Sequence, residues 1–188
     1  MKRKNLIAKT KVKAKKIKFE NKKILNFYTK FKSTFNKDIK NKNFAIAVSG
    51  GSDSLCLAYF SKIYSMEHKS KFHVLIVNHK LRKESYTEAL KVRNILKRKA
   101  IPSKILNWKG KMPKSNIQKN AREMRYSLIS NYCLQNKIKY LVTAHHEDDQ
   151  IENFFIRLFR GSGLTGLSSI STSMKYDKNL KIIRPFLN

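Results

Sequence analysis

The amino-acid sequence predicts an α/β fold, a doubly wound parallel sheet with helices on both faces. Three observations carry this expectation. Short apolar runs recur at 44–49, 72–78 and 140–143, and continuous apolar runs of that length mark strands covered on both faces. Segments with helical spacing of apolar residues separate them, and strands alternating with helices imply parallel pairing. Each run ends in a polar word. In a parallel sheet such words gather at the carboxyl ends of the strands, where ligands bind.

Residues 1–23 form a lysine-rich arm with no acid before Glu20, a solvated tail able to touch phosphate backbones. Residues 24–188 form the folded domain. Its first element is an amphipathic helix at 24–35, where Ile24, Leu25, Phe27, Tyr28, Phe31 and Phe35 recur near helical spacing. A strand at 44–49 runs into Ser49-Gly50-Gly51-Ser52-Asp53-Ser54, and a helix at 55–67 follows. The run 72–78 is the second strand and 84–99 the next helix. Pro102 marks the turn into a short strand at 103–108. A helix at 114–135, a strand at 140–143 and a helix at 147–159 that stops at Gly161 complete the alternation. A last strand lies near 180–183, before Pro185.

At 188 residues the chain can bury a core in one domain beside the arm. Its 42 Lys and Arg against 12 Asp and Glu give a net charge of +30, well beyond what solubility needs. Such a surface attracts polyanions, with nucleic acid the default partner. The excess is mostly lysine, in a chain also rich in Asn and Ile, a bias that AT-rich genomes produce unaided. Cys56 and Cys133 are far apart and form no C-x-x-C pair, so buried thiols in a reducing compartment are expected. No apolar run approaches the roughly 20 residues that span a bilayer. The first residues lack a secretory signal's apolar core, and the lysine-rich arm differs from the Arg- and Ser-rich organellar transit peptides.

The word after the first strand is a phosphate cradle. Strand, glycine turn and helix aim backbone N–H groups and a helix N-terminus at one anion. Gly50 and Gly51 let the main chain approach it, with positive φ available if needed. Ser49, Ser52 and Ser54 add hydroxyls, and Asp53 can hold magnesium beside phosphates. No lysine lies between Ser49 and Ser54, so this is not a Walker loop.

The other words are His79-Lys80-Leu81-Arg82 after the second strand and a run from Ala144 to Asn153 after 140–143. In the latter, Asp149 and Glu152 are i,i+3, and His145 and Asp149 are i,i+4, so they share a helix face if the helix starts early enough. Clustered carboxylates there can hold magnesium, bind an ammonium group or take a proton from an amine. Glu147 and Asp148 also suit a helix N-terminus. Arg122 and Arg125, one turn apart in 114–135, can each neutralise charge growing on a phosphate. The stretch from Arg160 to Leu167 fits either a helix C-cap with a loop or a backbone bed for a nucleotide.

Taken in order, these words resemble the tRNA(Ile)-lysidine synthetases, members of the PP-loop ATP pyrophosphatases, whose domain is Rossmann-like. The resemblance runs from about Phe44 to Leu187. It rests on residues 49–54, His79-x-Leu81-Arg82, Asn116-x-Gln118-x-x-Ala121-Arg122-x-x-Arg125-Tyr126, Ala144-His145-His146-x-Asp148-Asp149-Gln150-x-Glu152, Arg160-Gly161-Ser162-Gly163 and Arg184-Pro185. It implies a ligase that uses ATP and magnesium to adenylate C2 of the wobble cytidine of tRNA(Ile) with a CAU anticodon. The amine of free lysine then displaces AMP. It implies that Ser49, Gly50, Gly51, Ser52, Asp53 and Ser54 hold ATP, with Asp53 on magnesium. Asp149 and Glu152 would bind or deprotonate the lysine amine, and Arg122 would act near the activated cytidine or the phosphates. Such an enzyme works in the bacterial cytoplasm or an organelle matrix, with no membrane partner.

Asn78 stands where the family has an acid, and Asn153 where it has a threonine. The sequence stops just after Arg184-Pro185, where longer members continue into a tRNA-recognition domain, so a short form is expected. The alternatives are a related tRNA-thiolating enzyme, whose cytidine-directed members carry paired C-x-x-C cysteines, and a non-catalytic tRNA-binding remnant.

Overall fold

The computed structural model describes residues 19–68, 70–110, 115–159, 161 and 170–187. Most of the arm and the stretch 162–169 lie outside the described residues, as do Arg160 and the side chain of Asn153. Helix α1 (Lys22–Ile39) begins where the Asn21 side chain accepts from the N–H groups of Lys23 and Ile24, at 2.8 and 3.4 Å, as an N-cap should. It runs a turn beyond the predicted 24–35. Tyr28, Phe31, Phe35 and Ile39 form one buried stripe, whose last member hides behind polar Asn36, Lys37 and Asp38.

Five strands then alternate with four helices: β1 (Phe44–Ala47), α2 (Ser52–Glu67), β2 (Phe72–Asn78), α3 (Ser85–Arg98), β3 (Ser103–Asn107), α4 (Ile117–Gln135), β4 (Tyr140–Val142), α5 (Glu147–Phe159) and β5 (Ser173–Lys175). Strand β6 (Lys181–Ile183) follows. The order across the sheet is β3-β2-β1-β4-β6-β5. All neighbours pair in parallel except β5, which runs antiparallel to β6 at the edge. The predicted parallel sheet is therefore present with one antiparallel edge strand added. That strand is Ser-Met-Lys, too short and too polar to show as an apolar run. A turn holds it to β6: Asp177 accepts from the N–H groups of Asn179 and Leu180 and from the Ser130 hydroxyl.

The strands sort their side chains by alternation. Phe44, Ile46, Val74 and Ile76 enter a core shared with α1, α2 and α3. Ala45, Leu75, Leu141 and Ile182 meet Tyr126, Ile129 and Cys133 of α4 on the opposite face. Phe31, Phe35, Tyr64 and Phe44 contact one another as rings in the first core, each burial stabilising by about 1.5–3 kcal/mol. The Tyr64 hydroxyl is satisfied by Asn36 Oδ1 at 2.7 Å. Among the described residues no helix is long and apolar enough to cross a membrane.

This topology places the site. From β1 the chain moves outward through β2 to β3, then crosses back so that β4 flanks β1 on its other side. The gap beside β1 is the switch point at which sheets of this kind bind ligands. Since β1, β2 and β4 are parallel, the three polar words that follow them emerge at one edge.

Candidate functional site

A cleft of about 390 Å3 opens at that edge. Ala47 of β1, Val48 just after it, and Leu75, Ile76 and Val77 of β2 line it, with Ser49, Gly51, Asp53 and Ser54 from the glycine loop, and Ser85, Glu88 and Ala89 from α3. Arg125, Tyr126 and Ile129 face it from α4, and His145, His146 and Asp149 from the word after β4.

The loop after β1 is tied to itself. Helix α2 begins at Ser52, three residues earlier than predicted, so Ser52, Asp53 and Ser54 form its first turn. The buried Ser54 hydroxyl accepts from Gly50 N–H (3.1 Å), donates to the Gly51 carbonyl (2.9 Å) and lies 3.3 Å from the Ser49 hydroxyl. Ser54 therefore braces the loop. Gly50 has φ +104°, and a Cβ there would sit 2.5 Å from Val92 Cγ2 of α3, so both conformation and packing demand glycine. Asp53 and Ser52 are exposed at the helix start, where negative ligands are favoured.

Opposite lies an acidic cluster. Helix α5 starts at Glu147, so His145 precedes it and does not share a helix face with Asp149. Its Nδ1 lies 2.8 Å from the Thr143 hydroxyl. Burial, and then the Arg184 guanidinium, hold His145 below the usual histidine range. His146 takes the place sequence spacing gave to His145. Its Nε2 is 3.6 Å from Asp53 and 3.8 Å from Asp149, and its Nδ1 is 3.6 Å from Asp148. Asp149 also accepts from the His146 backbone N–H at 2.9 Å. The imidazole thus stands between the glycine-loop carboxylate and the α5 carboxylate. Among the described residues no three His, Cys, Asp or Glu form a metal cage. A magnesium ion on Asp53 would draw its remaining ligands from phosphate oxygens and water, as that ion commonly does.

Two further expected residues stand back from the cleft. Glu152 is exposed, one turn beyond Asp149, and is absent from the cleft wall. The Arg122 guanidinium lies 5.5 Å from the centre of the Tyr126 ring, while Arg125, not Arg122, lines the cleft. The Arg125 Nε and Nη2 groups both meet His79 Nε2 at 3.3 Å. Burial, then Arg125, hold His79 below the usual range. Sequence reasoning named the His79 word without giving His79 a role, and it missed Glu88. The available signal was helical register: Arg125 and Ile129 are i,i+4 and share the cleft-facing side of α4.

Asn78 is buried and hydrogen-bonded through both its amide nitrogen and its amide oxygen. It donates to Asn107 Oδ1 at 2.9 Å across the β2–β3 register and accepts from Lys80 N–H at 3.1 Å. Lys80 itself has φ +55°. The amide therefore fixes the turn that delivers His79. Arg184 is also buried, donating to the Ser171 carbonyl at 2.8 Å and lying 3.0 Å from the Met174 sulfur. It ties the end of β6 to the approach of β5. Both cysteines are free, and burial pushes the Cys56 thiol up to about 11 and the Cys133 thiol up to about 12, so neither is a poised thiolate.

A family profile described as a PP-loop domain matches residues 22–188. The tRNA(Ile)-lysidine synthase of Orientia tsutsugamushi is 45% identical over 149 residues, covering 79% of this chain and 33% of that protein. That of Rickettsia akari is 41% identical over 164 residues, covering 86% and 38%. The chain thus spans about a third of the length of these curated relatives. Among solved structures, the U34-tRNA thiolase NcsA from Methanococcus maripaludis superposes with a TM-score of 0.71 at 21% identity, over 87% of this chain and 59% of that one. That likeness shows the fold.

Proposed function

The chain belongs to the PP-loop family of ATP-binding domains, and we propose that it ligates lysine to C2 of the wobble cytidine of tRNA(Ile) with a CAU anticodon. The observation that carries this reading is the pairing across one cleft of a braced glycine loop with carboxylates converging on His146. In the first step the cytidine O2 attacks the α-phosphorus of ATP, forming a P–O bond, and pyrophosphate leaves. In the second the lysine ε-amine attacks C2, the C2–O bond breaks and AMP departs. The amine gives up its proton to a carboxylate.

Each residue then has a task. Ser49, Gly50, Gly51, Ser52 and Ser54 form the bed for the phosphates, with helix α2 opening onto them. Asp53 is the residue that would hold magnesium, which when bound screens the phosphates' charge. Asp149 and Glu152 attract the lysine ammonium and take its proton, the task of a carboxylate base beside an amine. Arg122 offsets charge near the activated cytidine. The basic arm and the +30 surface attract the tRNA. Two free, high-pKa thiols support a reducing compartment, the bacterial cytoplasm or an organelle matrix, and give no support to sulfur transfer.

The test is incorporation of radiolabelled lysine into tRNA(Ile) with a CAU anticodon, with ATP and magnesium. Wild type should incorporate it, and Asp149→Asn should lose on the order of a hundredfold or more. Equal incorporation by Asp149→Asn would remove the carboxylate from the chemistry. Binding of tRNA without ATP–pyrophosphate exchange would mean a remnant.

A further inference from the structure

The two arginines of α4 differ in what holds them. Arg122 lies over an aromatic ring, whereas Arg125 ends on an imidazole, with Nε and Nη2 both 3.3 Å from His79 Nε2. An arginine carries only donors. His79 Nε2 must therefore present its lone pair, and the ring proton must sit on Nδ1. That atom is buried and has no partner among the described residues. The ring thus forgoes a hydrogen bond on one side in order to accept from Arg125 on the other. Burial and the neighbouring guanidinium both favour the neutral ring that this geometry needs.

Arg125 is also the cleft-lining cation left over. Arg82 is occupied by Glu88, its Nη2 lying 3.2 and 3.1 Å from the two carboxylate oxygens. None of the ion pairs among the described residues involves Arg125. The glycine loop brings no lysine to its anion. A cleft built for a nucleotide would otherwise face the phosphates with carboxylates, hydroxyls, imidazoles and backbone.

Resting on the nucleotide reading above, we propose that Arg125 binds the phosphate chain of the nucleotide. His79, neutral and protonated on Nδ1, is the positioning residue that aims it. The imidazole holds one edge of the guanidinium, fixes its plane and leaves Nη1 for the ligand. Arg125 and Arg122 then have separate tasks despite standing one turn apart.

The test is calorimetric binding of α,β-methylene ATP with magnesium to the full chain. Arg125→Gln should weaken binding on the order of tenfold or more, the worth of a charge-assisted contact. Lys97→Gln, an exposed charge loss at the end of α3, should change it less than about twofold. His79→Ala should weaken it roughly three- to tenfold, the size of one modest hydrogen bond. His79→Gln, which can still accept from Arg125, should recover most of that loss. Arg125→Gln binding like wild type overturns the inference alone, and His79→Gln behaving like His79→Ala overturns the positioning role. Wild type that binds no analogue overturns the nucleotide reading and the inference together. Nitrogen NMR of the histidine rings tests the same point without a variant: a proton on Nδ1 of His79 is expected, and one on Nε2 sinks the proposal.

Discussion

The loop after β1 and the word after β4 face each other across one cleft, yet they are held in different ways. The first is locked from within: one buried hydroxyl serves two backbone groups, and Gly50 is pinned against Val92. The second has its backbone tied by Asp149, which accepts from His146 N–H at 2.9 Å. Its side chains meet at longer range, the His146 ring standing 3.6–3.8 Å from three carboxylates. It leads into a helix whose Ile151, Phe154, Phe155, Ile156 and Phe159 are exposed. Phosphates are alike in every nucleotide, so a rigid backbone bed suits them. On the proposed reading the other half receives an amine and a nucleobase, and such a bed gains from side chains that settle when the substrates arrive. The cleft thus joins a preformed half to an adaptable one.

The largest effect on stability should come from the rigid half. Gly50→Ala puts a Cβ at 2.5 Å from Val92 Cγ2 at a φ of +104°. Left-handed strain and overpacking together should cost about 2–4 kcal/mol. Urea unfolding measures this, and nucleotide-analogue binding should fall with it. Adding Val92→Ala should return the packing part and leave the conformational part. A Gly50→Ala chain as stable as wild type would break the idea of a locked bed. Next comes Ser54→Ala, which leaves the Gly50 N–H and the Gly51 carbonyl without their partner. It should cost about 1–2 kcal/mol and raise hydrogen exchange at Gly50 first. By contrast Asp149→Asn, on the adaptable side, should change stability by less than about 1 kcal/mol while lysine incorporation collapses. An Asn oxygen can still accept from His146 N–H. A large stability loss there would erase the contrast.

The sequence showed the frame of this site better than its contacts. Strands β1, β2 and β4 were legible because burial on both faces leaves an unbroken apolar run, and parallel pairing then forces their polar ends to one edge. β5 was not legible: its pairing is decided by the Asp177 turn and by β6, not by the apolarity of Ser-Met-Lys. The start of α2 was read late because Ser and Asp favour caps and turns. Here they form a helical first turn after Gly51. Asp53 and Asp149 were found as isolated words, and folding brings both to His146, which no spacing within one segment could reveal. Arg122 and Arg125 stand one turn apart on α4, so their motif marked both alike. Register with Ile129, together with the position of β2 and the His79 turn, puts Arg125 on the cleft wall.

The smallest effect expected, and the finest test of the contrast, is that of pH. His145 sits at the root of the adaptable half, and the glycine loop contains no histidine. In the folded chain burial, then Arg184, keep His145 neutral below its ordinary value near 6.5. In an open chain it titrates normally. Between the two values the open state binds more protons, so the contribution of His145 to stability is complete above about pH 6.5 and is lost as pH falls through the lowered folded value. His79, at the end of β2, shifts in the same direction. Amide exchange compared at pH 7.5 and pH 5.5, after correction for intrinsic rates, should therefore show added opening at 143–149 and little at 48–54. The loop's braces are hydroxyl and backbone groups that do not titrate in that range, so a uniform rise at both places would mean that the two halves open as one unit. Loss confined to 48–54 would reverse the assignment of the rigid half.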